Sequence, residues 1–366
     1  MKDIIVIHKN SIEAIPPLLS MILNLTELGY KVSLLTCGIQ RGNNFLLQGR
    51  GVDIHILPFN EKVSIWGKII DTIKYRFAVY KILKTKERKN SLLIIEGGNT
   101  IFAIGTRFKR LLFDYILFLP ELLEDVSYQR WVIAKVINNA KCVFVPEYNR
   151  SYITKVWFKL EKLPIVLPNK PYFEPANYDA PELLEKYHKE IALFKSKKII
   201  LYQGHVAVSR NISLVIQAVK ELGDDFQVVL MGKDYGIVEK YQKIDPQVVH
   251  IPFIPAPDYL LLTRLAYIGV LVYTPDMLNT IYCAPNKIFE YTKYGLPVIG
   301  NDIPGLRYPI EMNKVGAIAN YGDVESIKEA IRNIEINYEE YRKNALDFYD
   351  SVDNKSTIKK ALEDFA

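Results

Sequence analysis

Short runs that are apolar and β-branched at every position alternate with stretches of helical periodicity along most of this 366-residue chain, and that alternation limits the fold more than any other feature. A strand apolar on both faces must be covered on both faces, which is the situation of a parallel sheet flanked by helices. Residues 4–7 are the first such run. A polar loop follows, then an apolar-periodic stretch over 17–28 that stops at Gly29, then a second run over 31–36. Glycine closing a helix with a β-branched run behind it marks a strand–helix–strand unit. Further runs at 53–57, 92–96, 111–118 and 142–145 predict a doubly wound α/β domain.

Pro164, Pro168, Pro171, Pro175 and Pro181 then fall too densely for a helix or a central strand, so a domain boundary is placed there. Beyond it the pattern restarts: a strand at 198–202, a turn at Gly204, a helix over 213–222, and a strand at 227–231 ending at Gly232. Strands at 248–251 and 269–273, a helix over 286–294 and a strand at 297–300 follow. The expected architecture is α/β, with two Rossmann-like doubly wound domains facing across a cleft. The N-terminal domain is 1–170 and the C-terminal domain 171–345, with a solvent-facing C-terminal helix at 346–366 able to pack back on the first domain.

Several classes drop out. The most apolar stretch, 111–123, carries Asp114 and Glu121 and is interrupted by Pro120, well short of the ~18 apolar residues of a spanning helix. The apolar run at 4–7 has no small-residue cleavage site behind it, so no secretory signal is expected. Cys37, Cys142 and Cys283 form no C-x-x-C pair, which suits a reducing cytosol and argues against structural zinc. No D-x-D is present, and none of the five histidines has metal-ligand spacing, so no metal site is expected. Residues 1–170 hold 25 Lys and Arg against 14 Asp and Glu, a net +11, whereas the remainder nets −5. A basic half attracts phosphorylated small molecules, nucleic acid or an anionic membrane, and charge alone does not choose among them.

The segment 284–300, APNKIFEYTKYGLPVIG, carries the most chemistry. Pro285 is placed at a helix start, where free amides and the dipole favour a phosphate, with Lys287 beside it. Asn286, Lys287 and Glu290 share one helical face. A carboxylate there suits paired ribose hydroxyls rather than the phosphate. This segment closely resembles the donor-site helix of GT-B glycosyltransferases, especially the family-4 (group 1) enzymes of bacterial polysaccharide synthesis, with their P-x-K-x-x-E-Y stretch followed by G-x-P-V. The resemblance implies that Glu290 is the ribose-binding second glutamate of an E-x7-E motif. The first glutamate falls at Tyr282, leaving Asn279, Tyr282 and Cys283 as candidates beside the donor sugar.

A second match is the stretch 201–211, LYQGHVAVSRN. Glycine directly after a strand lets the backbone approach a pyrophosphate, and Arg210, placed at the start of the next helix, supplies charge. The resemblance sets Gly204, His205 and Arg210 against the donor diphosphate, with Gly232 and Lys233 following. It places Phe253 and Ile254 at the base, through backbone groups. The likeness covers roughly 110–335 and is strongest between 198 and 310.

The implied activity moves a sugar from a nucleotide-diphosphate sugar to a glycan or polyprenyl-linked acceptor, with retention and without metal. Arg210, Lys287 and Glu290 stabilise donor and leaving group, and no nucleophile is named. His8, just past the first strand, and Glu96, before Gly97 and Gly98, are further candidates in the acceptor half. No other cofactor is implied.

Over 65–89, cations interleave with Ile69, Ile73, Phe77 and Tyr80, the pattern of a basic amphipathic helix that can lie on anionic lipid. Lys74, Arg76, Lys81, Lys84, Arg88 and Lys89 are the expected membrane-facing residues. The location expected is cytoplasmic, peripheral at the inner membrane face. The basic residues do not interleave with a stacking platform, so nucleic acid is not expected as a partner. Two alternatives stay open: a GT-B-like partner subunit without catalysis, prompted by Tyr282, and a nucleotide-sugar epimerase of the same architecture.

Overall fold

The computed structural model describes residues 3–58 and 64–363. The chain divides into two compact units. The first takes the chain through Tyr172 and adds the segment from Asp353 onward, and the second is Phe173–Val352.

The first unit is built on seven parallel strands: β1 (Asp3–Ile7), β2 (Val32–Thr36), β3 (Asp53–Ile56), β4 (Ser91–Glu96), β5 (Asp114–Phe118), β6 (Val143–Val145) and β7 (Ile165–Val166). Their order is β3-β2-β1-β4-β5-β6-β7. Ile4 lies opposite Val32 on one side and Leu92 on the other. The chain winds outward from β1 to β3 and then returns to β4 on β1's other side, so the carboxyl ends of β1 and β4 meet where the winding reverses, the usual ligand position in open α/β sheets. Every residue of β2 and β4 is buried, the polar Ser33, Thr36, Ser91 and Glu96 along with the apolar ones.

The first helix, Pro16–Glu27, opens on two prolines and ends at Leu28, with Gly29 at φ +81°. The apolar run at 111–118 becomes strand only from Asp114, because Leu112 turns to φ 59° after the short 3-10 helix Thr106–Leu111. β7 sits among the prolines that hid it from a sequence reading. Residues 65–89 are not one helix: Ile65–Leu83 is helical, and Arg88 and Lys89 lie in a separate 3-10 turn, Arg88–Asn90. The last helix, Asn354–Glu363, is not wholly solvent-facing. Its Ile358, Ala361 and Leu362 are buried in one core with Leu18, Met21 and Ile22 of the first helix. Asn354 Nδ2 donates to the Pro168 carbonyl at 2.7 Å, and Lys355 pairs with Glu27 at 2.8 Å.

The second unit carries β8 (Lys198–Gln203), β9 (Phe226–Met231), β10 (Val249–Ile251), β11 (Ile268–Leu271), β12 (Val298–Asn301) and β13 (Gly316–Ala319). All are parallel, in the order β10-β9-β8-β11-β12-β13. Again the winding reverses beside the first strand, between β8 and β11. The helix expected over 286–294 is shorter, Lys287–Thr292. Among the described residues no helix is long and apolar enough to cross a membrane.

Candidate functional site

Four segments of the second unit converge at the carboxyl end of β8. Gly204 follows the strand with φ +125°, and Gly232 follows β9 with φ +145°. A Cβ on Gly232 would stand 1.9 Å from the Gly204 carbonyl oxygen, so the two turns are pressed together as only glycines permit. A Cβ on Gly204 would in turn lie 2.6 Å from Lys287 Cε and 2.8 Å from Nζ. The Lys287 ammonium thus lies directly against the glycine turn, with no hydrogen bond or ion pair from a described residue.

Arg210 completes the positive corner. It ends a 3-10 turn, Val208–Arg210, instead of opening the helix Ser213–Leu222. Its guanidinium lies 4.2 Å from the Tyr273 ring centroid. Asn301 anchors that ring's main chain, its Oδ1 accepting from Tyr273 N at 3.0 Å and its Nδ2 donating to Tyr273 O at 2.9 Å. Thr274 Oγ1 donates to the Ser209 carbonyl at 3.0 Å and ties the two loops. Neither Asn301 nor Thr274 stood out in the sequence.

Glu290 is one turn along from Lys287. Gln203, the last residue of β8, donates its amide to the Glu290 carboxylate. The Tyr259 hydroxyl also hydrogen-bonds Glu290. Burial pushes Glu290 up and Lys287 down from their ordinary pKa values; each opposes the other's shift through its charge, and Arg210 adds to the lowering of Lys287. Desolvation works against the charged form of each group, and the opposite charge of the other works to keep it.

Pro285 and Asn286 precede the helix that Pro285 was expected to open; it starts at Lys287, with Asn286 as its N-cap residue. His205 is exposed, its ring 5.3 Å from that of Tyr235, and Lys233 Nζ lies 5.1 Å from the same Tyr235 ring. His250 Nε2 and the Gly232 carbonyl are hydrogen-bonded at 2.8 Å. Ile254 is buried in the core while Phe253 stands exposed. Asn279 lies on the four-residue helix Leu278–Ile281, and Tyr282 caps it.

In the first unit, His8 and Glu96 find each other at the carboxyl ends of β1 and β4, with Nδ1 2.5 Å from Glu96 Oε2. His8 Nε2 faces the Ser11 carbonyl at 3.2 Å, so both ring nitrogens are engaged, and the side chain is 1% exposed. Beside them Lys9 Nζ donates to Thr72 Oγ1 at 3.2 Å. Burial lowers the Lys9 pKa and pushes the neighbouring Cys37 thiol up to about 12. Among the described residues no group of three or more His, Cys, Asp or Glu is placed to hold a metal ion.

The helix Ile65–Leu83 turns Tyr75, Val79 and Leu83 into the core. On its opposite face Trp66, Ile70, Ile73 and Phe77 stand exposed in a continuous stripe, Trp66 at 76%. Lys74, Lys81 and Lys84 are exposed along it, and Arg88 and Lys89 are exposed beyond it. Arg76 departs from the expected set: its Nε donates to the Ala103 carbonyl at 2.7 Å and its Nη2 to Phe102 O at 3.2 Å. That guanidinium is held against the protein.

Two tandem parallel α/β units constitute the GT-B architecture. Solved GT-B structures superpose over nearly the whole chain. HepE of Anabaena, solved with UDP and glucose, gives a TM-score of 0.71 at 11% identity, covering 100% of this chain and 99% of that one. A glycosyltransferase of Rickettsia africae gives 0.71 at 13% identity, over 100% and 97%. WaaG, a glycosyltransferase involved in lipopolysaccharide biosynthesis, gives 0.65 at 13%, over 98% of each chain. No curated protein matches the chain by sequence. Residues 184–346, most of the second unit, match the family described as glycosyl transferases group 1. That segment is thus similar to a group 1 glycosyltransferase domain, and the chain as a whole has the fold of these GT-B structures.

Proposed function

We propose that this chain is a glycosyltransferase that holds a nucleotide-diphosphate sugar in its second unit and transfers the sugar to a glycan or polyprenyl-linked acceptor bound by its first unit. The observation that carries the reading is the Lys287 ammonium lying against the Gly204 turn, with Arg210 in electrostatic reach and Glu290 one helical turn away. Gly204 gives a diphosphate room to approach the backbone. Lys287 and Arg210 meet the charge that develops as the diphosphate leaves, and one fixed donor at such a position is typically worth roughly 3–4 kcal/mol. Glu290 accepts from the ribose hydroxyls. HepE has been solved with UDP and with UDP-glucose, which supports a nucleotide sugar as donor here. Transfer proceeds with retention and without a metal ion or a carboxylate nucleophile. Isothermal titration against UDP-, GDP-, ADP- and CMP-linked sugars, with and without EDTA, tests this. One saturable, EDTA-insensitive ligand is expected; binding abolished by EDTA would overturn the metal-free reading.

The acceptor reading draws on a second surface. The exposed Trp66–Ile70–Ile73–Phe77 stripe flanked by Lys74, Lys81 and Lys84 has the character of a helix lying in an anionic interface, apolar side chains in the acyl boundary and cations at the headgroups. Docking there places the enzyme at the inner membrane face, where a polyprenyl-linked acceptor is presented.

A further inference from the structure

We propose that Gln203 and Thr263 form a positioning relay that fixes the Glu290 carboxylate so that its free lone pairs face the nucleoside diol of the donor. The inference rests on the reading that Glu290 takes the ribose hydroxyls. Gln203 is 3% exposed and Thr263 is fully buried, so neither amide nor hydroxyl has water to turn to. The Gln203 amide nitrogen donates to Glu290 Oε2, and its Oε1 accepts from Thr263 Oγ1 at 2.8 Å. A carboxylate offers no proton, so the amide must present its nitrogen to Glu290 and its oxygen to Thr263. That oxygen is satisfied only by a donating hydroxyl, although Thr263 Oγ1 also lies 3.1 Å from the Tyr259 carbonyl. The Glu290 carboxylate and the Thr263 hydroxyl therefore fix together which way the Gln203 amide points, and the amide so held fixes where the Glu290 oxygens point.

The main chain makes the relay rigid. Gln203 N donates to the Tyr291 hydroxyl at 3.3 Å, and that hydroxyl donates to the Leu201 carbonyl at 3.2 Å. Tyr291 follows Glu290 on the same helix, so β8 and that helix are clamped together on either side of the carboxylate. Tyr259, on the same short helix as Thr263 (Tyr259–Thr263), supplies the second donor to Glu290. Neither Gln203 nor Thr263 touches the donor; both act through Glu290.

The test compares UDP with 2′-deoxy-UDP by titration calorimetry on the full-length protein and on Thr263→Val, Gln203→Leu and Glu290→Gln. The native protein is expected to bind UDP about tenfold more tightly than the deoxy ligand, the size of one hydrogen bond to a charged group. In Thr263→Val and Gln203→Leu the UDP affinity falls five- to tenfold while the deoxy affinity stays, so the ratio collapses toward one. A merely structural role would lower both affinities together. Native ratios in Thr263→Val and Gln203→Leu alongside a collapsed ratio in Glu290→Gln would overturn the relay and leave the role of Glu290 standing. A native ratio in Glu290→Gln would overturn both. Thr263→Val changes one buried hydroxyl to a methyl, so the test survives a failure of Gln203→Leu to fold.

Discussion

Gly204 and Lys287 occupy adjoining space: a single added methyl at Gly204 would fall 2.8 Å from the Lys287 ammonium nitrogen. Gly204→Ala therefore strains a backbone at φ +125° and displaces the cation at once. Donor affinity is expected to fall at least tenfold in titration calorimetry, with roughly 1–3 kcal/mol lost in denaturant unfolding. Unchanged affinity would separate the turn from the donor.

Donor binding should depend on pH from both sides. Burial lowers the Lys287 pKa, so its ammonium is lost on going alkaline earlier than for a free lysine. Burial raises the Glu290 pKa, so its carboxylate is lost on acidification earlier than for a free glutamate. Affinity is expected to fall on both flanks of a pH plateau, with each flank displaced inward from that of the free side chain. Lys287→Arg should move the alkaline fall upward, and Glu290→Gln should abolish the acid one, both read by calorimetry across pH.

Removing one side of the His8–Glu96 pair leaves the other buried. Glu96→Ala, which leaves the buried His8 Nδ1 without its partner, is expected to cost about 1–3 kcal/mol of stability in urea unfolding. Glu96→Gln, which can still accept from the ring, should cost less. Native turnover in Glu96→Gln would assign the pair to holding the β1 and β4 ends together and not to the reaction.

Both halves of the 366-residue chain were legible as α/β because fully buried strands write unbroken apolar runs, and Gly29, Gly204 and Gly232 write the turns. Glu290 and Lys287 were legible because one helical turn separates them. Gln203, Thr263, Tyr259 and Asn301 were not. They reach the site from other strands and helices, and nothing local distinguishes a buried glutamine at a strand end from a solvated one. Arg76 misled for the related reason that periodicity places a side chain on a face but does not show that its guanidinium finds carbonyl oxygens there.

The exposed stripe gives a lipid prediction. Trp66→Ser with Phe77→Ser should release the protein from vesicles containing anionic lipid at any salt concentration, since each aromatic buried is worth roughly 2 kcal/mol. Lys81→Glu with Lys84→Glu should weaken sedimentation mainly at low salt, because charge attraction is screened. Retention of both double variants on vesicles would remove the membrane from the acceptor reading.

The last helix anchors the first unit. Leu362→Ala, at a site 4% exposed, is expected to cost about 2–4 kcal/mol in unfolding followed by tryptophan fluorescence.

That helix also gives the chain an order of events. Phe173–Val352 is inserted, in covalent terms, between β7 and the helix Asn354–Glu363 that completes the first unit. On the ribosome, the groove beside the first helix stays uncovered until the whole second unit has been made. The second unit can therefore mature before the first does, and an unfinished chain exposes the apolar surface that Ile358, Ala361 and Leu362 later close. Translation arrest before Asn354 would yield a first unit recognisable to quality control as incomplete, with only its final helix missing.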